Sequence, residues 1–121
     1  MELTPQIQAG RQVIERYAGA GFRVSGIVYT GPVLVFPDQT LAWADPAISE
    51  QGLQPIIAHG GIELLLLGLG RVMRPVDPPL RRALKAHGIA VEAMDTGAAC
   101  RTYNVLLAED RRIAAALLLP V

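Results

Sequence analysis

The run Leu64-Leu65-Leu66-Leu67 constrains this chain more than any other feature. Together with Ile62 it makes a stretch that is apolar on both faces, apart from Glu63. A strand of this composition has to be covered on both sides, so it belongs inside a layered sheet. The run Ala114 to Leu119 has the same character. Both are short and bounded by glycine, charge or proline, and both read as buried strands. Neither approaches the roughly 18 unbroken apolar residues of a membrane helix, so no transmembrane segment is expected.

The residues after Leu67 alternate between two periods. A Gly68-Leu69-Gly70 turn opens an arginine-rich loop. Asp77 before Pro78 is an N-cap and N1 pair, Leu80, Ala83, Leu84 and His87 recur at helical spacing, and Gly88 can close the helix. This predicts a helix over Pro78 to His87. Ile89 to Met94 is the next strand. Asp95 or Thr96 caps a helix over Gly97 to Ala108, with Ala99, Cys100, Tyr103, Leu106 and Leu107 on its inner face. Glu109 to Arg111 turns into a last strand, Arg112 to Leu119. The unit from Ile62 to Met94 is expected to be a right-handed parallel crossover, with Ile62 to Leu67 central and flanked by Ile89 to Met94.

The first half is different. Val13 to Tyr17, Phe22 to Val24, Ile27 to Tyr29, Val33 to Phe36 and Leu41 to Ala44 are short β-prone runs separated by glycine, proline and aspartate. Gly26 reads as a break or as a bulge that merges two runs. Ser49 is expected to cap a short helix carrying Leu53, Ile56 and Ile57, weakened by Gly52 and Pro55. A β-meander followed by β-α-β-α-β is an α/β or mixed layered domain, and 121 residues fit one such domain over 1–121.

Charge narrows the class. Eleven basic residues balance eleven acidic ones, a poor match to a nucleic-acid scaffold. The second half holds the basic excess, with eight Arg and Lys against six acids after residue 60. All basic residues but Lys85 are arginine. Arginine suits forked recognition of carboxylate or phosphate, although a GC-rich genome also explains the bias. Cys100 is the one cysteine, so an intrachain disulfide is ruled out. Met1 to Pro5 lacks the basic and apolar regions of a signal peptide, and a cytoplasmic location is expected.

Three groups of residues could carry a site. Gly68-x-Gly70 follows a strand, but the third glycine of a dinucleotide loop is missing, and Pro75, Asp77, Pro78 and Pro79 surround the opening of the next helix. It reads as a tight turn needing positive φ. Arg71, Arg74, Arg81 and Arg82 surround Asp77 and offer an anionic ligand or acidic partner a positive surface. The plainer reading is a solvated loop and helix face, favoured for Arg81 and Arg82 and balanced for Arg71 and Arg74. Asp95, Thr96, Arg101, Thr102 and Asn104 begin the last helix and hold more side-chain donors than a cap requires, but Asp95 opposes an anion there, and a site and a plain helix cap are balanced readings. Cys100 lies on the apolar face, so it reads as a small buried hydrophobe rather than a nucleophile. The two histidines, His59 and His87, precede glycines at helix ends, and with one cysteine they make no zinc signature. No metal and no cofactor is expected.

At these residues the chain resembles a known family. The motifs are Leu64-Leu65-Leu66-Leu67-Gly68-x-Gly70, Pro75, Leu80, Leu84, Gly88-Ile89-x-Val91-Glu92-x-Met94-Asp95-Thr96, Ala99, Arg101-Thr102-Tyr103-Asn104-Val105-Leu106 and Ala114-Ala115-Ala116-Leu117. Weaker matches are Tyr29-x-Gly31 and Val33-Leu34-Val35-x-Pro37. Together they resemble the Mth nine-three-eight-like family of unknown function, whose relatives include a mitochondrial complex I assembly factor. The resemblance implies a three-layer domain with a mixed central sheet, flanking helices and a small β-layer, and a protein partner rather than an established reaction. Leu69 stands where the family often has threonine. The expected function is a non-enzymatic binding or assembly protein, looking like a bacterial member. It would use Gly68, Gly70, Arg71, Arg74, Asp77, Asp95, Thr96, Arg101, Thr102 and Asn104 to hold a partner or a small anion. The alternative is an enzyme on a small anionic substrate, with Asp77 or Asp95 as acid or base and Arg71, Arg74 or Arg101 as clamps. A homo-oligomeric scaffold is a third reading.

Overall fold

The computed structural model describes residues 10–121. The reading of Met1 to Pro5 therefore lies outside the described residues. The elements are β1 (Ile14–Ala18), β2 (Gly21–Val24), β3 (Ile27–Tyr29), β4 (Val33–Val35), β5 (Thr40–Ala42), α1 (Gln54–His59), β6 (Leu64–Gly68), α2 (Pro78–Ala86), β7 (Ala90–Met94), α3 (Thr96–Ala108) and β8 (Ile113–Leu117). They form a mixed five-stranded sheet, order β5-β4-β8-β6-β7, and a three-stranded antiparallel sheet, β1-β2-β3.

The doubly apolar run behaves as its composition demands. β6 pairs in parallel with β7 on one side and with β8 on the other. The middle position itself belongs to β8, whose five residues are all buried. Leu65 and Leu67 face one core with Leu34, Phe36, Trp43, Leu53, Ile56, Leu80 and Leu84, beneath α1 and α2. Leu66 faces the other core with Val33, Val35, Ala115, Ala99, Cys100 and Tyr103, beneath α3 and the small sheet. Each fully buried leucine of this run contributes about 1.5–3 kcal/mol. The lone polar residue at the entrance, Glu63, points out and pairs with Arg112. The result is a three-layer domain with α1 and α2 on one face and α3 plus the small sheet on the other.

Several local expectations change. Ser25 and Gly26 take φ of 44° and 85° and turn β2 back into β3, so Gly26 belongs to a hairpin turn and not to a bulge. The irregularity sits instead in β1, between Ile14 and Arg16. Ser49 does not cap α1. Its Oγ accepts from Gly52 N (3.0 Å) in a preceding turn, and α1 begins later, with Leu53 at the cap position and proline in its first turn. Asp77 occupies the N-cap of α2, yet its side chain makes no capping hydrogen bond. Pro78 and Pro79 offer no N–H, which leaves Leu80 as the one first-turn donor in capping position. The last strand ends at Leu117, two residues earlier than its apolar run suggests.

Candidate functional site

β6, β7 and β8 are parallel, so their carboxyl ends emerge at one edge of the sheet. A buried joint holds the three exits together. Thr96 is fully buried; its Oγ1 accepts from Gly70 N (2.8 Å) and donates to Leu118 O (2.8 Å), while its own N–H donates to Gly70 O (2.8 Å). Gly70 has φ +87°, the positive value expected of this turn. Gly68 is required for another reason: an added Cβ would lie 2.8 Å from Leu117 Cδ2 and 3.0 Å from Thr96 Cα. Gly68, Gly70 and Thr96 are thus brought together, with the Thr96 hydroxyl committed to the joint.

Past Gly70 the chain runs over the surface. Arg71, Val72, Met73, Arg74 and Pro75 are exposed, whereas Leu69 and Val76 anchor the loop in the core. Val72 is 72% exposed and Met73 55%, large values for apolar side chains. Arg74 and Asp77 line one depression of about 300 Å³ with Ile48, Leu69, Pro75 and Leu80. The carboxylate of Asp77, unused as a cap, is available to it.

The α3 residues sit differently. Asp95 Oδ1 accepts from Ala98 N (2.9 Å), so this carboxylate is the working cap of α3. Arg101 donates to the hydroxyl of Tyr17 from β1. Asn104 clamps the backbone of Ile14, accepting from its N–H (3.0 Å) and donating to its carbonyl (2.7 Å), in the manner of a neighbouring strand. Thr102 is half-buried. Arg101 and Asn104 line a second depression of about 400 Å³ with Ile14, Glu15, Arg16, Tyr17 and Cys100. The two depressions share no residue. The loop and α3 leave the same edge of the sheet but pass to opposite faces. The partners missed in the sequence are Ile48 and Tyr17, long-range neighbours that no local pattern announces.

Burial pushes the Cys100 thiol up to about 12 against the small opposing pull of Arg101. Tyr103 is raised by burial too, and its hydroxyl has no hydrogen-bond partner among the described residues. Away from this edge, His59 stacks on Phe36 with ring centroids 4.3 Å apart and reaches Asp38 Oδ1 (2.9 Å) and Gly60 O (2.8 Å). No helix among the described residues is long and apolar enough to cross a membrane.

Comparison with known proteins places this geometry. The family model described as a protein of unknown function (DUF498/DUF598) matches residues 14–118. NADH dehydrogenase (ubiquinone) 1 alpha subcomplex assembly factor 3 of Xenopus tropicalis is 35% identical over 111 residues, covering 88% of this chain and 60% of that protein. The chain thus spans about 60% of the length of that relative. An uncharacterised protein of Rhodobacter capsulatus is 36% identical over 112 residues, 91% of this chain and 86% of that one. The solution structure of a Bordetella pertussis protein, described as an Mth938-like domain, superposes with a TM-score of 0.81 at 28% identity, covering 99% of this chain and 93% of that one. With the family model, the relatives and the fold in agreement, the chain belongs to the DUF498/DUF598 family and has the Mth938-like fold.

Proposed function

We propose that the chain is a non-enzymatic binding protein that assists assembly of a respiratory NADH dehydrogenase by holding a protein partner, and that it works in the cytoplasm. The observation that carries this is the loop after Gly70, where Val72 and Met73 stand exposed between Arg71 and Arg74. Methionine and arginine are enriched in protein interfaces, where an apolar centre is fringed by groups that can form forked hydrogen bonds. Gly68, Gly70 and Thr96 hold the base of this loop, Asp77 closes it, and Arg101, Thr102, Asn104 and Asp95 extend the same sheet edge toward the small sheet. The assembly-factor relative, aligned over 88% of this chain, supports the choice of partner.

Gene deletion in the organism of origin tests the proposal. Native gels of its membranes stained for NADH dehydrogenase activity are expected to lose the assembled complex while an unrelated respiratory complex is unchanged. An undiminished NADH dehydrogenase band would refute it.

A second reading has one specific observation behind it. Arg74 and Asp77 line the same depression above the apolar Leu69 and Leu80, which suits a small anion with an apolar body. Calorimetric titration with short-chain carboxylates and with inorganic phosphate distinguishes it: saturable binding lost in Arg74→Ala favours the ligand, and no heat favours the protein partner. A second copy of the chain is a third candidate occupant of this surface, and a dimer in sedimentation equilibrium would favour it.

A further inference from the structure

We infer that the outer face of the three-stranded sheet is a second docking surface, built for an acidic, partly apolar segment of a partner protein. Arg16 of β1 lies directly across from Arg23 of β2, and Arg23 lies directly across from Val28 of β3. Phe22 and Val24 point into the core, so this cross-strand row points outward. Like charges directly opposite one another destabilise a sheet. The structure compensates only one of them. Glu15 Oε1 sits 3.4 Å from Arg23 Nε and also accepts from Gly26 N (2.6 Å), whereas Arg16 has no carboxylate partner among the described residues. A row left with an uncompensated positive charge is a local conflict of the kind that marks a surface used for something else.

The shape of this face supplies the second observation. Next to the charged row stand Ala18, Ala20 and Gly21, whose small or absent side chains leave the sheet scooped out. The resulting trough measures about 240 Å³ and is closed by Arg16, Arg23, Val28 and Thr30. On this face Val28 is 67% exposed, a large value for an apolar side chain, whereas Ile27 pairs with the inward Val24 and belongs to the opposite face. Positive charge on one rim and exposed β-branched carbon on the other match an extended segment that alternates carboxylate and apolar side chains. Concavity favours such a segment over a flat lipid surface. The trough shares no lining residue with the depression beside the loop after Gly70.

The test uses the whole protein and a defined probe. Amide chemical shifts are followed during titration with the peptide acetyl-Glu-Leu-Glu-Val-amide, with its glutamine counterpart acetyl-Gln-Leu-Gln-Val-amide, and with vesicles of anionic phosphatidylglycerol. Saturable shifts confined to Arg16, Ala18, Gly21, Arg23, Val28 and Thr30 are expected with the acidic peptide, at least tenfold weaker with the glutamine peptide. Arg16→Glu is the informative variant, because the introduced carboxylate would face Arg23 and relieve the repulsion. It is expected to raise the urea midpoint while abolishing the peptide shifts. No saturation at millimolar peptide, equal response to both peptides, or binding to vesicles alone would overturn the inference. Loss of binding in an Arg16→Glu protein whose urea midpoint has fallen is set against Arg16→Gln, which removes the charge without adding a new one. Retained binding in that variant overturns the charge-based reading, and lost binding in a folded variant supports it.

Discussion

Replacing Thr96 by valine keeps the shape of the side chain and removes one oxygen. That oxygen accepts from the buried Gly70 N–H and donates to Leu118 O, both at 2.8 Å. Valine leaves the N–H without an acceptor and the carbonyl without its donor. A buried unsatisfied group costs about 1–3 kcal/mol, and the carbonyl, closer to solvent, sits at the lower end. Thr96→Val is therefore expected to cost about 2–4 kcal/mol. With a slope of about 2 kcal/mol per molar urea, the unfolding midpoint falls by about 1–2 M. Thr96→Ser keeps the hydroxyl and loses one buried methyl, so its cost is about 1 kcal/mol. Equilibrium urea unfolding followed by circular dichroism measures both. A Thr96→Val protein within about 0.5 kcal/mol of wild type would refute the joint and leave the Thr96 hydroxyl free for a ligand.

The titratable groups carry two more expectations. Cys100, buried and raised to about 12, should react with an aromatic disulfide reagent at neutral pH only as fast as the protein opens, and Cys100→Ala should cost about 1 kcal/mol; rapid labelling of the native protein contradicts this. His59 is pulled down by burial, but its hydrogen bonds to Asp38 and the Gly60 carbonyl and the charge of Asp38 outweigh that and raise it, while Asp38 is lowered chiefly by its hydrogen bond to His59. Neither acceptor can donate when Asp38 is ionised, so both ring nitrogens can donate together only in the imidazolium form. Its contribution is full below about pH 6.5 and lost as pH rises through the higher folded value; that of Asp38 is full above about pH 4 and lost as pH falls through its lower folded value. His59→Gln should then destabilise more at about pH 5.5 than at about pH 8.5 in urea unfolding, and an equal loss at both values contradicts the pairing.

The sequence is most legible where one physical demand dominates. Leu64 to Leu67 had to be buried on both faces, and α2 and α3 carry clear helical periods with a proline and an aspartate at their starts. The harder features depend on distant neighbours. Asp77 looks like a cap, but Pro79 removes the second-position donor and the carboxylate does not take the one that remains, the Leu80 N–H. Thr96 and Asn104 look like free polar groups at a helix start, yet one is spent on Gly70 and Leu118 and the other on Ile14. Their partners lie 22 to 90 positions away, beyond any local pattern. The order of the central sheet was equally hidden, because β8, the last strand of the chain, inserts between β4 and β6, and both pairings are long-range.

Complementation of the deletion strain tests the central claim most directly. Arg71 and Arg74 are exposed, so the double variant Arg71→Glu and Arg74→Glu should fold with an unchanged urea midpoint. Native-gel densitometry of the assembled NADH dehydrogenase is the measurement. The account predicts that wild-type protein restores the complex and that the equally abundant, folded double variant does not. Full restoration by the double variant would contradict the assignment of this loop as the partner-binding surface.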